Sequence, residues 1–253
     1  SGGNVDVTTL SRIITKGLSK AGRIAEISTK VADKPGSLLQ LLKVVADSGA
    51  NILSINHARE DQHSDVGACM VSMVLETREQ LARLFGASSS RNVIFTPSVT
   101  YSLNYFIKGF LKPGDHVIVT GIEHNAVMRP LWQMKKQGVD FDVAATDREG
   151  TVSLESLEGL IRENTKAVIA SHASNVCGTV TPIQEIGEIC RRHHIFFAVD
   201  SAQSAGTLDI RMEDWGIDFL AFTGHKGLLG PQGTGGMYVR AGVDVRPLKS
   251  GGS

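Results

Sequence analysis

The sequence contains only three cysteines in 253 residues: Cys69, Cys177 and Cys190. An odd number of widely spaced cysteines argues against a disulfide framework and favours a reducing compartment, so we expect a cytoplasmic protein. The sequence also lacks any apolar run of about 18 residues or more, and it lacks a signal-peptide pattern. It therefore predicts neither a membrane span nor secretion.

An excess of either charge is absent as well. Lys and Arg total 26 and Asp and Glu total 26, so the formal net charge is zero. This balance excludes the basic footprint of a nucleic-acid binder. Glycine is plentiful late in the chain, but no Gly-Lys-Ser/Thr follows at the spacing of a Walker phosphate loop. No metal site is predicted either.

The composition is that of a folded protein, with 42% hydrophobic and 21% charged residues, and its length allows one large domain or two small ones. We interpret residues 1–76 as one unit. Alternating polarity over 23–31 predicts a strand, helical spacing of apolar residues over 38–46 predicts a helix, and 51–58 and 66–75 predict two further strands. The order β-α-β-β is the first two-thirds of a ferredoxin-like βαββαβ fold.

Residues 77–253 show a different pattern, in which strands alternate with helices. This pattern predicts an α/β fold with a mostly parallel sheet and helices on both faces. The predicted strands are 93–96, 116–120, 141–145, 167–171, 195–200, 218–222 and 236–240. The predicted helices are 79–86, 99–111, 125–137, 154–163 and 182–193. The last has a capping-box pattern with Thr181 as N-cap and Gln184 three residues later. The segment 76–81 fits either the end of the first unit or the start of the second.

Chemically useful side chains follow the predicted strands. In an open α/β sheet, ligands bind beyond the carboxyl ends of the strands. Ser98 and Thr100 lie at a helix N-terminus that suits a phosphate, Asp200 ends an apolar strand, and Lys226 lies in a glycine-rich loop. Each alone has a simpler explanation, such as a helix cap or a solvated lysine. Together they form a set that suits pyridoxal phosphate (PLP), whose aldehyde bonds a lysine and whose pyridine nitrogen pairs with an acid.

Several stretches of residues 77–253 resemble the cysteine desulfurases, within the class V aminotransferase group of fold-type-I PLP enzymes. They are Glu123-His124-Asn125, Ser171-His172-Ala173-Ser174-Asn175, Val199-Asp200-Ser201-Ala202-Gln203 and Thr223-Gly224-His225-Lys226-Gly227. The resemblance implies that Lys226 bonds the cofactor, that Asp200 pairs with the ring nitrogen and that His124 stacks on the ring. It further implies that Asn175 and Gln203 approach the ring hydroxyl, and that Val99, Thr100, Thr223 and His225 hold the phosphate.

The same resemblance implies a homodimer that converts a small amino-acid substrate, cysteine, to alanine and enzyme-bound sulfur. The family's N-terminal segment and its C-terminal small domain have no counterpart in the sequence, and that small domain carries the sulfur-accepting cysteine. Cys177 and Cys190 are not substitutes, so we expect impaired turnover. A natural fusion, a fragment and an assembly artefact stay open, as do the transaminase and selenocysteine lyase reactions of class V.

Residues 1–76 are similar to an ACT domain of the threonine ammonia-lyase type. Gly22-Arg23, Asp33-Lys34-Pro35-Gly36-Ser37-Leu38 and Gly49-Ala50-Asn51-Ile52 carry this resemblance. The family binds amino-acid effectors near the first turn and the start of the second strand. The resemblance therefore implies effector contacts at Asp33, Gly36, Asn51 and Ile52, and it leaves a non-catalytic regulatory module as an alternative function.

Overall fold

The structure is a computed structural model of the chain. It describes residues 24–32, 34–47, 51–58, 68–76, 78–230 and 232–248. The chain divides into two compact units, residues 1–83 and 84–253. Among the described residues, no helix is long and apolar enough to cross a membrane.

The first unit contains a three-stranded antiparallel sheet in the order β1-β3-β2. Its elements are β1 (Ile24–Ala32), α1 (Ser37–Asp47), β2 (Asn51–Ala58), β3 (Ala68–Glu76) and most of α2 (Arg78–Leu84), whose last residue belongs to the second unit. Strands β1 and β3 pair without interruption from Ile24↔Glu76 to Ala32↔Ala68, whereas β2 shifts its register between Ile52 and Ser54. The elements follow the β-α-β-β order that the periodicity predicts.

The second unit contains a seven-stranded sheet with the order β4-β10-β9-β8-β7-β5-β6. Its strands are β4 (Val93–Thr96), β5 (His116–Thr120), β6 (Asp140–Ala144), β7 (Thr165–Ser171), β8 (Phe196–Asp200), β9 (Phe219–Thr223) and β10 (Gly235–Val239). Its helices are α3 (Val99–Phe110), α4 (Asn125–Lys135), α5 (Leu154–Gly159), α6 (Ile183–Arg192) and α7 (Met212–Trp215). Strand β10 is antiparallel to both of its neighbours and the other pairs are parallel, which confirms the predicted α/β class.

Helices cover both faces of this sheet, as predicted. Every residue of β5, β8 and β9 is buried, which is typical of parallel strands between two helical layers. On one face, Ala198 belongs to an apolar core that includes Phe106 of α3 and Leu131 of α4. On the other face, Gly187 of α6 packs beside the Phe197 ring. Because side chains alternate along a strand, Asp200 shares the Ala198 face, at the carboxyl end of β8.

The structure decides two predictions, the sheet to which residues 93–96 belong and the start of helix α6. Strand β4 pairs with β10, so residues 93–96 belong to the second unit and do not complete the first sheet. The predicted capping box at Thr181 is wrong, because Pro182 is the N-cap of α6 and makes no side-chain cap hydrogen bond. The buried Thr181 hydroxyl instead donates to the main-chain oxygen of Ser171 at 2.6 Å, where it satisfies a carbonyl at the end of β7.

Candidate active site

A narrow cleft lies at the carboxyl edge of the seven-stranded sheet. The residues that line it are Val99, His124, Ser171, Ala173, Asn175, Asp200, Ala202, Gln203 and Lys226. Six of them are residues that the sequence marks as candidates: Val99, His124, Asn175, Asp200, Gln203 and Lys226. These six are distant along the chain, and the crossover connections of the sheet bring them to one place.

Asp200 contributes a buried carboxyl to the cleft, since only 4% of the residue is exposed. Its Oδ1 accepts a hydrogen bond from the Ala202 N–H at 2.9 Å, which fixes the side chain in the turn that follows β8. Burial raises the pKa of Asp200, while the Ala202 hydrogen bond and the nearby basic groups of His124 and Lys226 oppose the rise. A carboxyl in this setting favours a cationic partner, because a cation compensates for the lost hydration of its charge.

His124 is the N-cap of α4. Its Nδ1 accepts a hydrogen bond from the Ala126 N–H at 3.0 Å, and its carbonyl accepts from the N–H groups of Val127 and Met128. An accepting Nδ1 carries no proton, so the neutral ring has its proton on Nε2. The cap therefore determines both the ring's position beside the cleft and its tautomer, while the side chain stays exposed enough to contact a ligand.

Lys226 projects from the loop that follows β9. The loop begins where the Gly224 N–H donates to the Thr234 oxygen at 2.9 Å, and it turns where the Leu229 N–H donates to the Lys226 oxygen at 2.9 Å. Lys226 itself is exposed and lines the cleft, near enough to the buried Asp200 carboxyl to oppose the rise of its pKa.

Three candidates for phosphate contacts lie outside the cleft lining. Thr100 is the second residue of α3 and lines a neighbouring surface depression with Tyr101, Asn104, Tyr105 and Leu248. The Thr223 hydroxyl is 3.0 Å from the His225 Nδ1, so these two side chains engage each other below the Lys226 loop. Val99, by contrast, lies in the cleft and is the first residue of α3. Its N–H belongs to the first turn, which has no intrahelical acceptor.

The effector candidates fall in the first unit. Gly36 is exposed and has φ +90°, in the turn just before α1. This positive φ explains the glycine without any ligand. Asn51 and Ile52 are the first two residues of β2. Asp33 lies outside the described residues.

Sequence reasoning missed three lining residues: Ser171, Ala173 and Ala202. Ser171 is the last residue of β7, and its main chain pairs with that of Asp200 on β8. All three fall within the stretches that carry the family resemblance. The position of those stretches at the ends of predicted strands was the signal that could have identified them. These three residues are small and uncharged and form part of the cleft wall, so their chemistry alone does not identify them as site residues.

A larger cavity of about 790 Å³ lies at the opposite edge, where the parallel strands begin. It contains none of the predicted site residues. Its charged lining is balanced, with four cationic residues, Lys112, Lys166, Arg191 and Arg240, and four acidic residues, Asp115, Glu213, Asp218 and Asp244. Ligands of open α/β sheets bind at the carboxyl edge, so the smaller cleft of about 40 Å³ is the candidate active site despite its size.

Comparison with known proteins agrees with the fold. The family described as aminotransferase class-V matches residues 33–253, a range that starts within the first unit. The cysteine desulfurase IscS of Dictyoglomus turgidum is 36% identical over 182 residues, which are 70% of this chain and 46% of that protein. The mitochondrial cysteine desulfurase of Eremothecium gossypii is 40% identical over 185 residues, which are 71% of this chain and 37% of that protein.

Solved structures also show similarity to cysteine desulfurases. The apo cysteine desulfurase of Thermococcus onnurineus has a TM-score of 0.65 and 33% identity, and the match covers 69% of this chain and 45% of that one. SspA in complex with cysteine has a TM-score of 0.65 and 35% identity, with 69% and 52% covered. The chain thus spans about half the length of these relatives or less. On the match over residues 33–253, the chain belongs to the aminotransferase class-V family.

Proposed function

We propose that this chain is the cofactor-binding part of a PLP-dependent cysteine desulfurase. The observation that carries the proposal is the convergence of Asp200, His124 and Lys226 on one cleft at the carboxyl edge of the sheet. An acid, an imidazole and an amine are the groups that the pyridine nitrogen, the ring face and the aldehyde of PLP require. The relatives named cysteine desulfurase support cysteine as the substrate, and SspA was solved with cysteine bound.

The donor set fits PLP. Asp200 is buried and its raised pKa favours a cationic neighbour, which a protonated pyridine nitrogen supplies. Asn175 and Gln203 add side-chain amides beside it, and the Val99 N–H at the start of α3 suits a phosphate oxygen. The cleft of about 40 Å³ is smaller than the roughly 300–1,000 Å³ typical of small-molecule sites. Because Lys226 and His124 are exposed, their side chains have room to move outward and admit the ring.

Each residue then has a distinct task. When bound, PLP supplies an electron-withdrawing ring that stabilises negative charge at the substrate Cα. Asp200 keeps the ring nitrogen protonated, because its carboxylate is poorly solvated and gains a partner. His124 holds the ring in position. Lys226 would hold the cofactor through its amine, and the same amine would move a proton at the substrate Cα.

The proposal is tested by titrating PLP into the full chain and recording absorbance and the dissociation constant. We expect a visible band for the wild type that disappears in Lys226→Ala. The control is Lys166→Ala, an exposed lysine at the opposite edge of the sheet, which should keep the band. A wild type without the band, or an unchanged band in Lys226→Ala, contradicts the proposal. Alanine from cysteine, with sulfide released on addition of a thiol reductant, would separate desulfuration from transamination, which gives a keto acid. Selenocysteine as the preferred substrate would favour the lyase.

For the first unit we propose a second, regulatory function: the binding of an amino-acid effector by an ACT-like fold. The β1-β3-β2 antiparallel sheet and the turn at Gly36 support it. Calorimetry with branched-chain amino acids tests it in the full chain, where Asn51→Ala should abolish the heat and Lys226→Ala should not. Equal heat in Asn51→Ala and the wild type would contradict the proposal. A homodimer and a cytoplasmic location stay predictions, and light scattering of the purified chain would measure the assembly.

A further inference from the structure

The carboxyl of Glu123 joins the ends of two neighbouring strands. Its Oε1 accepts hydrogen bonds from the Thr120 hydroxyl at 2.5 Å and from the Ser171 N–H at 2.7 Å. Its Oε2 accepts from the Ser171 hydroxyl at 2.8 Å. Thr120 ends β5 and Ser171 ends β7, and these two strands are parallel neighbours in the sheet. One side chain therefore ties both strand ends together by three hydrogen bonds.

These contacts connect two walls of the cleft. Glu123 directly precedes His124, whose ring caps α4 and lines the cleft. Ser171 also lines the cleft and stands in register with Asp200. Thr120 is buried, with 1% of the residue exposed, and does not line the cleft. A displacement of the Glu123 carboxyl would thus move His124 and Ser171, while Glu123 itself is not among the lining residues.

The electrostatics agree with a role next to the site. Burial raises the pKa of Glu123 to about 7, the hydrogen bonds from Thr120 and Ser171 oppose the rise, and the nearby Asp200 carboxylate adds to it. All three hydrogen bonds are donated to Glu123, an arrangement that favours its ionised form. A cationic group held at Asp200 would lower the repulsion between the two carboxyls.

We propose that Glu123 is a positioning residue of the cofactor site, which fixes His124 and Ser171 on their walls of the cleft through its bonds to the ends of β5 and β7. This inference rests on the proposed PLP site and concerns a residue to which the sequence assigns no role. Glu123 acts through its neighbours and does not itself contact the cofactor.

The test is a double-mutant cycle on the PLP dissociation constant of the full chain. Glu123→Gln keeps the size of the side chain but replaces one acceptor oxygen with a donor amide. We expect it to raise the dissociation constant about tenfold or more. Thr120→Val, which removes one bond outside the cleft, should raise it several-fold in the wild-type background and less than twofold in the Glu123→Gln background. Glu158→Gln, an exposed carboxylate that binds Arg192 and His193, is the matched control and should change nothing.

Two outcomes overturn the proposal: a dissociation constant for Glu123→Gln within twofold of the wild type, or an equal effect of Thr120→Val in both backgrounds. A wild type that does not bind PLP would refute the proposed function instead. The three hydrogen bonds of Glu123 are then tested without cofactor by amide hydrogen exchange, where Thr120→Val should speed exchange of the Ser171 N–H several-fold. Unchanged exchange at Ser171 would refute the positioning role of Glu123. This readout also serves if Glu123→Gln does not fold.

Discussion

Ser171 and Asp200 are register partners at the carboxyl ends of β7 and β8, and both side chains line the same cleft. The Asp200 carbonyl accepts a hydrogen bond from the His172 N–H at 2.9 Å, which continues the pairing one residue beyond the strands. The candidate acid is therefore held by the sheet itself, whereas the candidate amine of Lys226 lies in a loop. This placement would let Asp200 hold the pyridine nitrogen at a fixed position while the Lys226 amine reaches the cofactor from a separate element.

Asp200→Asn should weaken cofactor binding and stabilise the cofactor-free protein. Asparagine keeps an acceptor for the Ala202 N–H but removes a carboxyl whose burial raises its pKa. We expect the PLP dissociation constant to rise at least about tenfold and the unfolding midpoint without PLP to rise by roughly 2–4 °C, equivalent to about 1 kcal/mol. Calorimetric scans with and without PLP measure both effects. Asp209→Asn, an exposed carboxylate paired with Arg211, should change neither, and a fall in both quantities for Asp200→Asn would refute the argument.

Glu123 should make the cofactor-free protein less stable as the pH rises. Its pKa is about 7 in the folded protein against an ordinary value of 4.5, so between these pH values the folded state holds a proton that the unfolded chain has released. The free energy of unfolding therefore falls as pH rises through this window, by roughly 2–3 kcal/mol from this residue. Urea unfolding at pH 5 and pH 8 should show a larger loss for the wild type than for Glu123→Gln.

Asp200 is close enough to Glu123 to raise its pKa, so Glu123→Gln also removes the repulsion between these two carboxyls, which changes the pH dependence in the same direction. Glu158→Gln provides the control, because His193 and Arg192 hold the pKa of the exposed Glu158 below its usual value. The stability that Glu158 contributes is lost only as the pH falls below about 4.5, so Glu158→Gln should show the same loss between pH 5 and pH 8 as the wild type. Equal pH dependence in the wild type and Glu123→Gln would show that Glu123 titrates normally.

Cys177 and Cys190 should differ sharply in reactivity. Hydrogen bonds from Ser174 and Thr179 lower the pKa of the exposed Cys177 to about 7, so much of it is thiolate at neutral pH. Burial raises the pKa of Cys190 to about 12. Iodoacetamide at pH 7.5 followed by peptide mass spectrometry should label Cys177 at least about 100-fold faster than Cys190. Similar rates would contradict this assignment, and Cys177→Ser identifies the labelled peptide.

Gly227→Ala should disturb the Lys226 loop. A Cβ at residue 227 would lie 2.4 Å from the Ala205 oxygen, a main-chain atom that cannot move aside cheaply. We expect a loss of about 1–3 kcal/mol in stability and a weaker PLP band, because the loop must shift away from the turn after β8. Gly159→Ala is the matched control, since nothing lies within 4 Å of its added Cβ and alanine favours the helix. A stable Gly227→Ala protein with full PLP affinity would refute the close contact.

The order of elements in both units could be predicted from the sequence except for the short helix α7, because period-2 and period-3.6 patterns of apolar residues reflect local geometry and four residues are too few to show a period. The fully apolar β8 and the aspartate that ends it pointed to a buried strand with a polar residue at its carboxyl edge. The family resemblance added roles for His124 and Lys226. Helix ends were predicted less well, as Thr181 demonstrates: its hydroxyl has a distant partner in Ser171, and the competition between a cap and a tertiary hydrogen bond is not visible in the sequence.

The sequence by itself determined which chemical groups were available and that they follow strands of an α/β sheet. Only the tertiary structure decided which of them share a cleft: it placed Val99 there, left Thr100 in a neighbouring depression and paired Thr223 with His225. It also gave Glu123 its three hydrogen bonds to the ends of β5 and β7. The physical reason is that strand order and side-chain direction depend on crossovers between distant segments, and a single residue along a helix or strand changes the face to which a side chain points.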